Sequence, residues 1–123
     1  MKKAVLLLGA ILAWPIGAQA ITGNDLLDEC RRQDSYSRGR CLGLIIGVEY
    51  GFSPVNDVLD VIDPSNTLSS TFGNCKPDRV THGQLRDIVV RYLERNPAKR
   101  HEFFHLLVFA AWQEAYPCQP RRR

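Results

Sequence analysis

The chain has 123 residues and a formal net charge of +3. Two of its 16 basic residues are Lys2 and Lys3, which leaves 14 basic against 13 acidic residues in the rest of the chain. Three of those 14 are the terminal arginines at 121–123. The body is therefore near-neutral or slightly acidic, which excludes the broad basic face of nucleic-acid-binding proteins.

The first twenty residues predict a signal peptide, residues 1–20. Two lysines precede an apolar stretch over residues 4–17, and residues 18–20 form an A-x-A cleavage signal. The stretch is too short to span a bilayer comfortably and no second candidate follows it, so we expect no membrane segment after cleavage. We predict cleavage after Ala20, export to a bacterial periplasm, and a mature single domain over residues 21–123.

The mature chain predicts an all-α domain, because helix signals are strong and strand signals are nearly absent. The first helix starts at Gly23 or Asn24 and runs through Cys30. A polar loop over residues 35–39 follows it, and the apolar residues 41–52 predict a second helix.

Residues 53–74 predict the irregular part of the domain. Ser53 and Pro54 have the pattern of a cap for a short helix through Ile62, since proline suits the first helical position. A break at residues 63–66 and a stretch rich in Ser, Thr and Asn then lead to Cys75.

The third helix carries the clearest signals. Thr81 and Gln84 have the spacing of a capping box, in which each side chain accepts from the other residue's backbone N–H. Asn96 and Pro97 end this helix, and so tight a connection makes the third and fourth helices antiparallel neighbours. A core-facing stripe occurs at helical spacing: Leu85, Ile88, Val89, Tyr92 and Leu93.

The fourth helix is predicted from Pro97 to about Tyr116, where Pro117 stops it. Residues 103–112 within it are apolar apart from His105. A helix that buries only one face should show more polar positions. We therefore expect this helix at the centre of the bundle, with a second face that contacts another copy of the chain as a homodimer.

The four cysteines all lie in the mature chain and predict a disulfide framework in an oxidising compartment. Cys30 ends the first helix and Cys41 begins the second, so they face each other across a short loop. Cys75 precedes the third helix and Cys118 follows the fourth, so the antiparallel pair brings them together. The bridges Cys30–Cys41 and Cys75–Cys118 would each clamp one helical hairpin of a four-helix domain.

Residues 101–105 match the H-E-x-x-H signature of zinc peptidases, in which two histidines one helical turn apart bind the metal. His101 and His105 would be the ligands, and Glu102 would activate water. No third ligand follows: the longer form of the motif is absent, and Glu114 lies on the same helix about half a turn out of phase. We therefore expect no metal, no cofactor and no catalytic site, and keep a small metallopeptidase as the runner-up.

Gly43, Gly47 and Gly51 recur every four residues along the second helix. Each glycine costs about 1 kcal/mol relative to alanine inside a helix. Close packing of another helix against this face is the usual compensation, and we expect it here. A small ligand bound against the same face is the alternative.

Taken together, these motifs resemble the Rap/Tai-type immunity proteins of bacterial type VI secretion. The resemblance covers most of the mature chain and depends on the order of several short pieces rather than on any single one. In that order they are Leu26-Leu27 with Cys30, Cys41-x-Gly43, Gly47-Val48, Cys75-x-Pro77-x-x-Val80-Thr81-x-Gly83-Gln84-Leu85, Val89-Val90-x-Tyr92-Leu93, Asn96-Pro97 with Arg100-His101, and Ala115-Tyr116-Pro117-Cys118.

The resemblance implies a periplasmic inhibitor that binds a papain-like peptidoglycan amidase and occludes its cleft. It also implies that Arg100-His101 belongs to the family pattern, so that His105 alone completes the zinc string by coincidence. Related proteins look like dimers of small helical subunits. A periplasmic helical binding or stress protein without a toxin partner is the alternative within the same fold.

Residues 63–74 are the segment that we expect to contact the partner, because it is polar, irregular and tethered by Cys75. A passive connector is the alternative interpretation. The candidate contact residues are Asp63, Ser65, Asn66, Thr67, Ser69 and Asn74.

Overall fold

The computed structural model describes residues 19–65, 68, 73 and 75–119. Within them the chain forms four helices and no β-strand, as the sequence predicts. None of the helices in these residues is long and apolar enough to cross a membrane. The helices are α1 (Gly23–Arg31), α2 (Ser35–Ile62), α3 (His82–Arg95) and α4 (Phe104–Ala115), and a short 3-10 helix, Pro97–Lys99, precedes α4.

Side-chain caps fix where the first two helices begin. The Thr22 hydroxyl accepts from the Asp25 N–H, and the Asp25 carboxylate accepts from the Thr22 N–H at 2.8 Å, which forms a capping box. Asp34 caps α2 by accepting from the Ser37 N–H at 2.9 Å. These caps satisfy N–H groups that have no partner within the helix.

Helix α2 corrects two sequence predictions. Residues 35–39 are its first turns rather than a loop, since Asp34 captures a backbone N–H that the polar sequence would otherwise leave to water. The predicted break at Ser53 and Pro54 is also absent, and one helix of 28 residues replaces two. Proline inside a helix costs about 3 kcal/mol. The continuation of α2 buries Leu59, which offsets part of that cost.

The capping box that begins α3 is confirmed. The Gln84 side chain accepts from the Thr81 N–H at 2.8 Å, and the Thr81 hydroxyl accepts from the Gln84 N–H at 3.2 Å. The predicted stripe is buried in part: Leu85, Val89, Tyr92 and Leu93 lie in the core, and Ile88 packs against its edge.

Helix α4 begins at Phe104, seven residues later than the sequence predicts. Contacts distant in sequence hold the preceding turn away from helical geometry. The Gly23 N–H donates to the Glu102 carbonyl at 3.0 Å, and the Phe104 N–H donates to the Ile21 carbonyl at 3.1 Å. The chain therefore runs extended at Phe103 before α4 starts.

The core is a single cluster to which all four helices contribute. Each of the four helices packs against the other three, so α4 is no more central than the rest, and its Trp112 is fully buried. Burial of a large aromatic side chain stabilises the fold by about 1.5–3 kcal/mol relative to exposure. The other fully buried apolar residues in the described part of the chain are Leu26, Cys41, Ile45, Leu85, Val89, Leu93, Leu107, Val108 and Ala111.

Both predicted disulfides are confirmed. Cys30 is bonded to Cys41 across 11 residues, and Cys75 is bonded to Cys118 across 43 residues. The first bridge joins the end of α1 to α2. The second joins the segment before α3 to the chain just after α4, so that the two ends of the α3–α4 hairpin are closed.

Candidate partner-binding surfaces

The segment predicted to contact a partner starts and ends at anchored positions. At its start Asp63 is buried, at 5% exposed, although the sequence suggests an exposed residue. Its N–H donates to the Leu59 carbonyl at 2.8 Å, and its carboxylate accepts from the Ser65 hydroxyl at 3.2 Å. Asp63 therefore terminates α2 and orients the chain that follows, and Ser65 is half-buried beside it.

The far end of the segment is held against α4. The Gln113 side chain donates to the Gly73 carbonyl at 3.3 Å, and the Cys75 N–H donates to the Tyr116 carbonyl at 3.3 Å. The Cys75–Cys118 bridge adds a covalent tether. The other candidate contact residues, Asn66, Thr67, Ser69 and Asn74, lie outside the described residues.

One half-buried carboxylate on α2 joins the chain just beyond the segment to the start of α3. The Glu49 side chain, 18% exposed, lies 3.2 Å from the Lys76 ammonium through one oxygen and 3.3 Å from His82 Nε2 through the other. A pair with little exposure is screened less by salt than a surface pair. Glu49 thus positions the chain on both sides of Pro77.

The histidine motif does not lie on a helix. His101 and Glu102 fall in the turn before α4, and only Phe104 and His105 are in the helix. The predicted helical face with two histidines one turn apart is therefore wrong. His105 instead stacks on the ring of Phe103, with 5.8 Å between ring centroids. Among the described residues no three His, Cys, Asp or Glu side chains gather closely enough to hold a metal ion.

The glycine face of α2 is open rather than packed. A Cβ built at Gly43, Gly47 or Gly51 would meet no atom within 4 Å outside the helix itself, so the prediction of close helix packing within the chain is wrong. The space forms an apolar groove of about 380 Å³ between α2 and α4. Its walls are Leu44, Val48, Phe52, Phe104 and His105.

Among the described residues two carboxylates have lowered pKa values, and both take part in helix caps. The Thr22 backbone N–H, and after it the Thr22 hydroxyl, lowers the pKa of Asp25. The Ser37 backbone N–H, and after it the Ser37 hydroxyl, lowers the pKa of Asp34. These shifts favour the ionised caps that begin α1 and α2 and point to a structural role rather than to acid–base chemistry.

Arg100 has a positioning role that the sequence does not reveal. Its Nε donates to the Leu93 carbonyl at 2.6 Å, and its Nη2 donates to the Glu94 carbonyl at 3.1 Å. Cations near a helix C-terminus also interact favourably with the helix dipole. The Arg100-His101 pair that carries part of the resemblance thus includes the residue that closes α3. Its distance from the end of α3 hides this role in the sequence.

Comparison with known proteins identifies a matching family. A family model described as Rap1a immunity proteins matches residues 22–118, which include the four helices and both disulfides. No curated protein and no solved structure matches the chain.

Proposed function

The chain belongs to the Rap1a immunity proteins, and from this premise we propose that it inhibits a peptidoglycan amidase delivered by type VI secretion. Membership of the family implies that the chain binds a cognate effector, and it favours inhibition over catalysis. The family match over residues 22–118 is the observation that carries the proposal. The finer part, a papain-like amidase occluded in its cleft, comes from the resemblance of the sequence motifs.

The periplasm is the proposed place of action, after cleavage behind Ala20. Disulfides persist in oxidising compartments, and both bridges support export. Directly after the proposed cut, the Ile21 carbonyl accepts from the Phe104 N–H. Cleavage there would leave the Thr22 capping box intact.

The segment over residues 63–74 is the proposed blocking surface. Buried Asp63 holds one end, and the Cys75–Cys118 bridge with the Gln113 hydrogen bond to Gly73 holds the other. A segment held at both ends loses less conformational entropy when it binds than a free loop of the same length. In this proposal Asp63 positions the segment, and the contacts come from Ser65, Asn66, Thr67, Ser69 and Asn74.

The first step is to search the genes beside this one for a peptidoglycan amidase, and periplasmic co-expression with an amidase found there tests the function. We expect the wild-type chain to prevent lysis and to co-purify with a catalytically inactive form of the amidase. Thr67→Arg and Ser69→Arg should abolish both effects, because a long charged side chain in the contact obstructs docking. Arg91→Glu, on the exposed face of α3, is the matched control and should protect fully.

Two outcomes contradict the proposal at different levels. Lysis in the presence of folded, disulfide-bonded wild-type chain would exclude immunity against this amidase. Full protection by both arginine variants would be consistent with immunity but would exclude the segment over residues 63–74 as the blocking surface. Circular dichroism and thiol titration of each variant establish that it is folded and oxidised.

A further inference from the structure

We propose that the Cys75–Cys118 bridge is a redox-sensitive tether, which a dithiol reductant opens on the folded chain while the Cys30–Cys41 bridge stays closed. Opening releases the far end of the segment over residues 63–74 and leaves the helical core in place. The proposal concerns the chain by itself, and only its last consequence, weaker binding of the amidase, rests on the proposed function.

The two bridges differ in how well an external thiol can reach them. Cys75 is exposed, whereas Cys30 is half-buried and Cys41 is 1% exposed. Cys41 belongs to the core cluster and Cys30 packs against it. Thiol–disulfide exchange starts when a thiolate attacks one sulfur of the bridge, so its rate depends on access to that sulfur. The folded chain therefore offers Cys75 as the first point of attack.

The bridges also differ in where the second sulfur is left. Attack on Cys75 expels Cys118 as a thiolate. Cys118 is 7% exposed, but it lies outside the core cluster and just beyond the end of α4, so its departure needs no opening of the core. Attack on Cys30 would instead expel Cys41, whose negative charge would form among apolar core side chains, where an unpaired charge is costly. Access and the leaving sulfur therefore both favour opening of the Cys75–Cys118 bridge.

A dithiol completes the reduction in two exchanges. Its first thiolate bonds to the Sγ of Cys75, and the Cys118 sulfur leaves as a thiolate. Its second thiol then attacks the reductant's own sulfur in this mixed disulfide, so that the Cys75 sulfur leaves and the reductant becomes a disulfide. In total two electrons and two protons pass from the dithiol to the two cysteines, and no other co-reactant is needed.

The far end of the segment keeps only non-covalent contacts once the bridge is open. In the described residues the Gln113 side chain donates to the Gly73 carbonyl and the Cys75 N–H donates to the Tyr116 carbonyl, both at 3.3 Å. These distances lie beyond the usual range of about 2.7–3.2 Å for N–H···O hydrogen bonds, so both contacts are weak. Neither cysteine of this bridge belongs to the core cluster, so its apolar contacts stay in place after reduction.

Timed reduction of the full chain, exported and recovered oxidised from the periplasm, tests the order of opening. The reductant is dithiothreitol, and alkylation at each time with peptide mass mapping shows which cysteines are free. We expect Cys75 and Cys118 to be modified at least tenfold faster than Cys30 and Cys41, because access limits the exchange. The helical circular dichroism should stay unchanged while only the first pair is reduced.

Limited proteolysis tests the release of the segment. Chymotrypsin cuts after large apolar residues, and Leu68 within the segment is 44% exposed. A segment held at both ends adopts the extended form that a protease binds less readily than a released one. Cleavage should therefore be at least tenfold faster once Cys75 and Cys118 are reduced and alkylated.

Two double variants separate the bridges. Cys75→Ala with Cys118→Ala should be cut at the fast rate with or without dithiothreitol. Cys30→Ala with Cys41→Ala is the matched control, which keeps the tether and should be cut slowly until dithiothreitol is added. Circular dichroism establishes that each variant is folded, and the timed reduction of the wild type tests the order of opening without any substitution.

Binding to the catalytically inactive amidase measures the consequence for inhibition. We expect the chain reduced at Cys75 and Cys118 to bind at least tenfold more weakly than the oxidised chain, and reoxidation to restore the binding. An oxidised wild type that does not bind the amidase would exclude the proposed function, and the modification and cleavage rates would still decide whether the bridge is a redox-sensitive tether.

Three results overturn the proposal. In the first, Cys30 and Cys41 are modified as fast as Cys75 and Cys118. In the second, selective reduction leaves the rate of cleavage within residues 63–74 unchanged. In the third, the oxidised and selectively reduced chains bind the amidase equally tightly, which would overturn the link between the tether and inhibition.

Discussion

At Gly23 the start of α1 touches the turn before α4. A Cβ here would collide with the Leu107 side chain and lie 3.1 Å from both the Arg100 carbonyl oxygen and a methyl group of Leu93. The carbonyl is fixed, since it accepts from the Asn24 N–H at 2.9 Å. The sequence shows only a glycine at the start of a helix, and the need for it arises from residues far along the chain.

We expect Gly23→Ala to lower the free energy of unfolding by about 1–3 kcal/mol, because overpacking in a fixed site forces neighbours to shift. Gly39→Ala is the matched control. Its Cβ would meet nothing within 4 Å, so the gain in helix propensity should raise the free energy of unfolding by up to about 1 kcal/mol. Urea denaturation measures both. An equal effect of the two substitutions would contradict the close approach at Gly23.

Asp34 makes one part of the stability depend on pH. The Ser37 N–H holds its pKa below the ordinary value of 3.8, so the folded state favours the ionised carboxylate. The contribution is therefore fully present above pH 3.8 and is lost as pH falls through the lower, folded-state pKa. Asp34→Asn keeps an acceptor without the charge. We expect the wild type to melt above this variant at about pH 6 and the difference to disappear at low pH.

Thermal melts of wild type and Asp34→Asn across the acid range measure this difference. Asp25→Asn is a second case with the same sign, because the Thr22 N–H lowers the pKa of Asp25 in the same way. A melting difference that grows as pH falls would contradict the assignment of the lowered pKa to the folded state.

At the scale of helices, the sequence predicts those helix boundaries that are determined by contacts between residues close together in the chain. The Thr81 and Gln84 capping box and the stripe that follows it locate α3 because their partners lie within a few residues. The start of α4 cannot be predicted from local signals, because the turn before it is hydrogen-bonded to Ile21 and Gly23, which are distant in sequence. Pro54 has the local pattern of a helix start, so the sequence predicts a new helix there. The helix instead continues through Pro54 and buries Leu59, which residues next to Pro54 do not reveal.

The same distinction between local and distant contacts explains which features of the candidate site could be predicted. The cysteine pairing comes from the order of the helices and is confirmed. The glycine spacing predicts a small-residue face, yet whether that face is packed depends on where α4 lies, and α4 leaves it open. His101 and His105 have metal-ligand spacing only on a continuous helix, which the turn at residues 100–103 prevents.

The two disulfides should differ in what they contribute. Chain entropy gives about 3 kcal/mol for a loop of 11 residues and about 4 kcal/mol for one of 43. We therefore expect Cys75→Ala with Cys118→Ala to lower the melting temperature more than Cys30→Ala with Cys41→Ala. Cys41 lies in the core and Cys30 packs against it, whereas Cys118 lies outside that cluster and Cys75 is exposed, so a larger shift at the Cys75–Cys118 bridge would reflect chain entropy rather than packing. Equal or reversed shifts in calorimetry would contradict the entropic account.

At the scale of the whole molecule, the proposed export and the proposed inhibition both depend on the stability of the fold. A folded domain of this size has a net stability of about 5–15 kcal/mol, and the two bridges together supply a large share of it. One of them also tethers the proposed blocking segment at Cys75. A chain that never reaches an oxidising compartment would lack both contributions, even though its helices and core are encoded unchanged.

Deletion of residues 2–20 should therefore abolish protection against the co-expressed amidase, because the chain stays in a reducing cytoplasm, away from a target that acts on the cell wall. The same shortened chain, produced in a cytoplasm made oxidising, should form both bridges and bind the inactive amidase in vitro as tightly as the exported chain. This second arm separates a failure of location from a failure of folding. Lysis assays, thiol titration and binding by calorimetry measure the three quantities. Protection by the shortened chain in an ordinary cytoplasm would exclude periplasmic action, and weak binding by its fully oxidised form would contradict cleavage after Ala20, because a chain cut there lacks residues 2–20 as well.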